Sequence, residues 1–490
     1  RILIPLSLLL FTVSSTGLSS TAHAQFGDWP DVFDPTIIHT LNLDMDPADW
    51  ATIQTDDSLY PGSRLILDGN EAPTLISVRR TSGDPLTADP DVIKVSLKLD
   101  INYNVSGQSW HGLKKLSIEN GDDQDVISEG LAWEIERRAT GTQGYDYLVS
   151  HRSWIQLVIN GVNTGVYLNI EQVDKRFLEN RGLYVEGETW LYKVSGGGAE
   201  ELKVGGPGDS PTFDELCYLP VDDDTGAPSP TRYNPPPLID IQGFITLLAS
   251  DAFQGNGDAT LTKGKNFYFV DFFAGRKRRY LPWDRDSSLT RRAVDKSIYS
   301  AAGPYAVMLD VPDFRAQYNQ IFNDLMCGPW APESLISFLD EIEPILTPVL
   351  VTDLNSKFGD ASSIAGQFTK LRDWLTDRAA FIVSEIEGYQ PCPSFDIVLN
   401  EFMAGNAGFL EDPDEPGDYP DWVELYNPTA FAQDLGGLFL TDNALNPTKY
   451  QIPFGIVIPA YGYLVFYADR DPEQGPLHAS FAAISSRSVT

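Results

Sequence analysis

Cysteine and histidine are scarce in this chain, which limits the kinds of site that it can build. Its 490 residues include three cysteines, Cys217, Cys327 and Cys392, and five histidines. Three cysteines exclude a disulfide framework, although an exported protein could form one bridge, for example Cys327–Cys392. Without a CxxC pair, an HExxH motif or a run of histidines, the sequence does not indicate a zinc site.

Positive charge is scarce as well. The chain has 35 Lys and Arg residues against 69 Asp and Glu residues, which gives a formal net charge of −34. Neutralising the phosphates of a nucleic acid requires Lys and Arg, so the composition argues against nucleic acid as a partner. So large an acidic excess instead fits a secreted protein.

Long hydrophobic runs are absent after the first residues. Residues 1–24 combine an apolar stretch with Ala22-His23-Ala24, a pattern typical of a signal peptide and its cleavage site. The apolar stretch is too short for a spanning helix, and no later segment has about eighteen uninterrupted apolar residues. The sequence therefore predicts an exported protein, secreted or at the cell surface, with no integral membrane segment.

The order of patterns along the chain predicts an α+β fold. Apolar and polar residues alternate over 62–102, and they alternate again over 154–173 around Asn-Gly and Asn-Thr-Gly, as in a β-hairpin. Residues 204–237 are rich in Gly, Pro and Asp and indicate a loop insertion. A strongly helical region, 312–388, follows, in which one helix face is formed by Ile364, Phe368, Leu371, Leu375 and Ile382. From residue 395 onwards short strands with turns between them indicate a separate β-sandwich.

Polar side chains with oxygen ligands are concentrated between residues 258 and 286. Asp258 and Asn266 precede an aromatic run typical of a strand, and Asp284 and Asp286 follow Pro282-Trp283. Oxygen ligands suit a hard divalent cation such as Mg²⁺ or Mn²⁺. The alternative interpretation is a solvated turn, because surface turns are rich in Asp and Asn.

Two regions resemble known families. Residues 35–390 resemble the spore-coat CotH kinase family, atypical secreted kinases with a two-lobed protein-kinase-like domain. The matching pieces are GLKKLSIEN at 112–120, QLVINGVNTGVYLNIEQVD at 156–174, the spacing from Asp258 to Asn266, and PWDRD at 282–286.

Residues 395–490 resemble the lamin-tail domain, an immunoglobulin-like β-sandwich, through DWVELYNP at 421–428, LTDNALNPTKYQIP at 440–453 and YLVFYAD at 463–469. No obvious closing strand follows, so we expect this domain to be truncated at its C-terminus. The acidic run 411–418 offers oxygen ligands for weak binding of Ca²⁺, but it lacks the spacing of an EF-hand, and the favoured interpretation is a solvated hairpin loop.

The kinase resemblance implies a role for each polar residue between 258 and 286. Asp258 would orient the acceptor hydroxyl or contact metal, while Asn266 and Asp284 would bind the divalent ions that bridge the phosphates of ATP. Asp286 is a reserve metal ligand or only a cap for the residues that follow it.

A kinase also needs a cation on the phosphates, held by an acidic partner. Lys98 is the first choice and Lys94 the second, but both fall on one face of a predicted strand, so the sequence does not separate them. Glu171 is the expected partner by its match to the family. Arg79 and Arg80 are further candidates for contacting phosphate. The chain has no G-x-G-x-x-G, H-R-D or D-F-G motif of the usual protein kinases.

The leading hypothesis is a secreted kinase that transfers the γ-phosphoryl of ATP to Ser or Thr of extracellular or surface proteins. Its lamin-tail module would bind a partner at the cell surface or in the extracellular matrix. One alternative is a non-catalytic binding or adhesion protein whose kinase-like lobe is inert. Another is ATP-dependent transfer of a different group, such as a nucleotidyl group, on the same scaffold.

Overall fold

The computed structural model describes residues 29–81, 94–121, 125–142, 148–195, 200–205, 239–273, 276–300, 305–353, 358–390, 397–429, 432–443, 446, 448–453 and 455–482. The predicted signal peptide, most of the predicted insertion, Cys217 and Cys392 lie outside these residues. Cys327 is disulfide-bonded, and its partner also lies outside them. The bridge Cys327–Cys392 therefore stays a prediction.

The first eight strands form one sheet that closes on itself. Its order is β1-β7-β8-β6-β5-β4-β2-β3, and β1 also pairs with β2, so seven strands make a ring. Alternate side chains point inwards, and they form an apolar cluster that includes Leu41, Leu65, Leu99 and Leu157. The strands are β1 Ile38–Asp44, β2 Gly62–Leu67, β3 Asn70–Glu71, β4 Ile76–Arg80, β5 Leu97–Asp100, β6 Lys115–Glu119, β7 Arg152–Ile159 and β8 Val162–Glu171.

A second, antiparallel sheet has the order β10-β9-β11-β12. It packs in a larger apolar cluster with the outward face of β7 and β8 and with most of the helices. Its strands are β9 Thr189–Val194, β10 Glu200–Val204, β11 Phe267–Phe272 and β12 Arg279–Pro282.

The described part of the chain contains eight α-helices, and none of them is long and apolar enough to cross a membrane. They are α1 Pro47–Ile53, α2 Val126–Thr142, α3 Lys175–Asn180, α4 Ile241–Gln254, α5 Thr260–Lys263, α6 Pro312–Met326, α7 Pro332–Val351 and α8 Ala361–Glu385. Short 3₁₀ helices lie at Trp29–Phe33, Arg291–Ala293 and Ala306–Asp310. The helical region predicted from 312 is confirmed. In α8 the predicted apolar face, from Ile364 to Ile382, is buried.

Helix ends follow the capping residues in the sequence. Asp46 accepts a hydrogen bond from the backbone of Ala48, with Pro47 at the first helical position. Helix α4 begins at an Asp240 cap and ends at Gly255, whose φ of 61° is the left-handed conformation that glycine adopts without strain. A Cβ at Gly255 would lie 2.3 Å from that of Ala293, so the following turn also needs glycine for close packing.

The C-terminal strands have an apolar cluster of their own, which includes Val423, Leu435, Ile458 and Phe466. They form a four-stranded sheet, β13-β14-β19-β20, and two two-stranded sheets, β15-β18 and β16-β17. The mixture of helices and sheets confirms the α+β class, while the immunoglobulin-like sandwich stays a prediction. The strands are β13 Val398–Met403, β14 Asp421–Tyr426, β15 Gln433–Asp434, β16 Phe439–Leu440, β17 Tyr450–Gln451, β18 Val457–Ile458, β19 Tyr463–Ala468 and β20 His478–Ala479.

Candidate functional site

A cavity of about 270 Å³ lies between the outward face of β4–β6 and the second sheet. Its cationic side chains outnumber its carboxylates by five to two, in a chain whose net charge is −34. This local excess of positive charge suits an anionic ligand such as a phosphate. The charged lining residues are Arg79, Lys98, Lys115, Lys193, Lys203, Asp100 and Asp174, and the aromatic ones include Tyr268 and Trp283.

Strand register brings the first group of polar side chains together. Arg79 pairs with Lys98 across β4 and β5, and Lys98 pairs with Ser117 across β5 and β6. Residues directly opposite each other on neighbouring strands project from the same face. The three side chains therefore share the outward face, opposite the apolar interior of the ring.

Lys98 makes an ion pair within this face. Its Nζ contacts Ser117 Oγ, lies 3.2 Å from Glu119 Oε1 and stands 5.5 Å above the ring of Trp283. Burial opposes ionisation of Glu119, but Lys98 and Ser117 together hold the pKa of its carboxyl below the usual range. Lys98 is thus a positioned cation with a carboxylate partner, which is the arrangement expected of it.

The partner is Glu119, however, and not the predicted Glu171. Glu171 pairs with Leu116 across β6 and β8, so it projects to the inward face, away from Lys98. Its carboxylate oxygens lie 2.7 Å from the two terminal nitrogens of Arg181. The structure therefore does not bring Glu171 and Lys98 together, because neighbouring residues of a strand face opposite ways.

The structure also separates the two candidate lysines. Lys94 precedes β5, and its Nζ lies 3.0 Å from the buried Oδ2 of Asp353. The same carboxylate accepts the backbone N–H of Val166. Lys98 lines the cavity and Lys94 does not. Arg79 lines it too, whereas the buried Arg80 donates to the backbone carbonyl of Gln54.

Lys193 on β9 is a cavity residue that sequence reasoning missed. No carboxylate of the described residues lies within 4.0 Å of its ammonium group. Burial, together with the charges of Lys98 and Lys203, lowers the pKa of Lys193. Lys193 and Lys98 both stand 5.5 Å from the Trp283 ring, so the two ammonium groups face a common space. The alternating pattern of β9 indicates which residues share a face with Lys193, but no pattern in the sequence predicts that β9 pairs with β11.

Asp258 and Asn266 do meet. The side-chain amide of Asn266 donates to the backbone oxygen of Asp258 at 2.9 Å and to its Oδ2 at 3.3 Å. Lys263 and Lys265 lie 3.1 and 2.7 Å from the two carboxylate oxygens. Partial burial opposes ionisation, but these two lysines lower the pKa of Asp258, so the carboxyl is ionised at neutral pH.

The PWDRD segment is held in place by the arginine between its two aspartates. Arg285 is fully buried, and its guanidinium lies 2.6 Å from Asp251 Oδ1 on α4 and 3.3 Å from Glu136 Oε2 on α2. It also donates to the carbonyl oxygen of Trp283 at 2.9 Å. Asp284, at φ 61°, occupies the left-handed region, so the turn carries backbone strain that this anchor sustains.

Glu136 in this anchor makes stability depend on pH. Burial, only partly offset by Arg285, raises the pKa of Glu136 from 4.5 to about 7. Between these values the folded chain retains a proton that the unfolded chain releases, so stability falls as pH rises. In the wild type the free energy of unfolding should therefore decrease between about pH 5 and pH 8. We expect this decrease to be smaller in Glu136→Gln, by on the order of 1–3 kcal/mol, as measured by urea unfolding. Equal losses in the variant and the wild type would contradict this assignment.

The charges of Asp284 and Asp286 act on a third acidic residue, Glu129 on α2. Burial raises the pKa of Glu129 well above its usual value, and the charges of Glu119, Asp286 and Asp284 raise it further. A backbone hydrogen bond of 3.2 Å from Trp283 to Asn266 holds the segment beside the other candidate ligand.

A second, open groove of about 730 Å³ borders the same residues. Asp258 and Asp286 line it together with Lys263, Arg292 and Lys296. The PWDRD segment therefore separates two spaces, because Trp283 borders the cationic cavity and Asp286 borders the groove. This arrangement can hold an anionic ligand on one side of the carboxylates and a second reactant on the other.

Comparison with known families gives one match. The family model described as CotH kinase protein matches residues 90–382, which is more than half of the chain. The match includes the predicted site residues except Arg79 and Arg80, the rest of the cationic cavity apart from Tyr60 and Ser77, and the whole of the open groove. No curated protein matches the chain.

Proposed function

Because the chain belongs to the CotH kinase protein family, we propose that it is a secreted atypical protein kinase. It transfers the γ-phosphoryl of ATP, with Mg²⁺ or Mn²⁺, to Ser or Thr of extracellular or surface proteins. The observation that carries the proposal is the cavity in which the Lys98–Glu119 pair and Lys193 adjoin the segment bearing Asp284.

The cavity supports binding of the nucleotide phosphates. The ion pair with Glu119 fixes the position of Lys98. A lysine must be fixed in this way to hold a phosphate at a defined position. Lys193 adds a second cation without a carboxylate of its own among the described residues, so phosphate would supply its missing counter-charge. Two lysines facing one space repel each other, and an anionic ligand between them would relieve that repulsion.

The carboxylates support binding of the metal ion. The side-chain nitrogen of Asn266 donates hydrogen bonds to Asp258, which leaves the side-chain oxygen of Asn266 to bind a metal ion. Asp284 supplies a carboxylate to the same ion. Asp286 is the reserve ligand. Crowding of Glu119, Glu129, Asp284 and Asp286 fits a region that accommodates a cation. When bound, Mg²⁺ or Mn²⁺ would neutralise the charge on the transferred phosphoryl group.

Asp258 supports the acceptor role. Its carboxylate remains ionised, so it can accept a hydrogen bond from a Ser or Thr hydroxyl and orient the oxygen for attack. The open groove that it lines has room for an extended segment of a protein substrate. Lys263 and Lys265 hold the carboxylate in position meanwhile.

Replacement of Lys98 tests the proposal most directly. We expect Lys98→Met to lower label transfer from γ-labelled ATP to a protein acceptor, with Mn²⁺ present, about 100-fold. The stabilisation that Mn²⁺–ATP gives to the wild type in thermal melting should shrink as well. Lys370→Met, at an exposed position of α8, is the matched control and should behave as the wild type.

Three outcomes separate the alternatives. Label transfer by Lys98→Met equal to that of the wild type would reject Lys98 as the phosphate cation. Stabilisation by Mn²⁺–ATP without transfer by the wild type would favour the non-catalytic binding protein. Neither stabilisation nor transfer would reject nucleotide chemistry in this cavity altogether.

A further inference from the structure

Three acidic side chains surround a histidine in the C-terminal region, far from the cationic cavity in sequence. His478 Nε2 lies 3.0 Å from Asp414 Oδ2, and His478 Nδ1 lies 2.5 Å from Asp469 Oδ2 and 3.6 Å from Asp412 Oδ2. Ligand atoms of Asp412, Asp414 and His478 all lie within 4.8 Å of one another. No other group of three His, Cys, Asp or Glu residues in the described part of the chain meets that distance.

Asp412 provides an independent sign that a ligand belongs in this cluster. The residue is 1% exposed, yet its Oδ2 has no hydrogen-bond partner and points towards His478. A buried carboxylate oxygen without a partner is strongly destabilising unless a cation or a donor satisfies it. Its other oxygen already accepts the backbone N–H of Asp414.

The imidazole is oriented as in a metal site. Asp469 contacts Nδ1, and the other ring nitrogen, Nε2, lies 3.0 Å from Asp414 Oδ2, so a cation bound to Nε2 would also reach Asp414. A carboxylate on the far nitrogen of a metal-binding histidine fixes both tautomer and ring direction. The ring also stacks on Tyr467, with centroids 5.4 Å apart, which restricts its rotation.

We propose that Asp412, Asp414 and His478 bind a divalent transition-metal ion, with Asp469 positioning the histidine. One imidazole nitrogen with carboxylate oxygens suits Zn²⁺ or Mn²⁺, whereas Ca²⁺ and Mg²⁺ prefer oxygen ligands alone. Such an ion would tie the loop 411–418 to β20. The proposal is independent of kinase activity, because no ligand in it borders the cavity or the groove.

The competing occupant of the cluster is a proton on His478. Burial opposes protonation, but hydrogen bonds that the ring would donate to Asp469 and Asp414 raise the pKa of His478. A protonated histidine would satisfy Asp414 and Asp469 while leaving Asp412 Oδ2 without a hydrogen bond. A metal ion would satisfy Asp412 and Asp414, while the neutral ring would still donate its Nδ1–H to Asp469, and this favours the metal ion over the proton.

Metal content and melting of the full chain test this site. After removal of metal by a chelator and addition of Zn²⁺, we expect one equivalent to be retained through desalting in the wild type and in Asp284→Asn. Asp414→Asn and His478→Gln should each lose that equivalent. Saturating Zn²⁺ should raise the melting temperature of the C-terminal transition by about 10 °C in the wild type and leave it unchanged in the two variants.

The controls make each outcome decisive. Asp414 has a side chain that is 57% exposed, so Asp414→Asn is expected to fold even if His478→Gln does not. Glu473→Gln, at an exposed position of a nearby turn, should retain the equivalent. Retention of Zn²⁺ in Asp414→Asn, no binding of Zn²⁺ or Mn²⁺ by the wild type, or equal stabilisation by Ca²⁺ would each overturn the proposal. Loss of the equivalent in Asp284→Asn alone would assign the metal to the proposed kinase site instead.

Discussion

Asp258→Asn is expected to reduce phosphoryl transfer about 1,000-fold while leaving the affinity for Mn²⁺–ATP nearly unchanged. The change preserves the shape of the side chain and the hydrogen bond to Asn266 through the backbone oxygen of residue 258. It removes the negative charge that would orient the acceptor hydroxyl. Because that charge acts on the acceptor and not on the nucleotide, the loss should appear in kcat and not in nucleotide binding.

Comparison with Asp284→Asn sharpens the test. Asp284 is proposed as a metal ligand, so its replacement should weaken both transfer and stabilisation by Mn²⁺–ATP, the latter about 10- to 100-fold in affinity. Asp313→Asn, at an exposed position of α6, serves as the charge-matched control. Initial rates of label transfer and melting curves at several nucleotide concentrations give both quantities. If Asp258→Asn weakens nucleotide binding as much as Asp284→Asn does, Asp258 belongs with the metal ligands and not with the acceptor.

Arg285→Met is expected to lower the free energy of unfolding by about 3–5 kcal/mol. The guanidinium is fully buried and compensates the charges of Asp251 and Glu136. Methionine fills much of the same volume but leaves two carboxylates without a cation in the interior. Such a loss is a large part of the total stability of an ordinary domain, about 5–15 kcal/mol.

Urea unfolding followed by tryptophan fluorescence measures this loss, with Arg291→Met as the control at an exposed position. The loss should be larger at about pH 8 than at about pH 5, because Glu136 protonates at the lower value and one uncompensated charge disappears. A change below about 1 kcal/mol at both pH values would show that Arg285 is not the anchor of the PWDRD segment.

Several features could be predicted from local pattern. The alternation over 154–173 predicts the β7–β8 hairpin, and the structure confirms it. The spacing of apolar residues predicts the buried face of α8. Asp258 and Asn266 are close in the chain and precede one strand, so their contact follows from the short segment, with the one-turn helix α5, that joins them. In the hairpin and in the Asp258–Asn266 contact, the atoms that meet are near each other in sequence.

The expected Lys98–Glu171 pair shows what the local sequence pattern does not predict. Alternation tells which side chains of one strand share a face, but not how that strand is aligned with the next. Register across β5, β6 and β8 decides that Glu119 and not Glu171 stands beside Lys98. The pairing of β1 with β2, which closes the ring, likewise cannot be predicted from alternation. A strand at the edge of a sheet and a strand paired on both sides have the same alternation of apolar and polar residues.

By itself the sequence determined the class of fold, the strands and helices of most segments and the oxygen-rich stretch around Asp258 and Asp284. Only the tertiary structure decided which charges face one another. It joined Lys98 to Lys193 across two sheets, placed Arg285 between Glu136 and Asp251, and gathered His478 with Asp412 and Asp414. These contacts join residues distant in the chain, and they depend on strand register and core packing, which no local spacing of residues records.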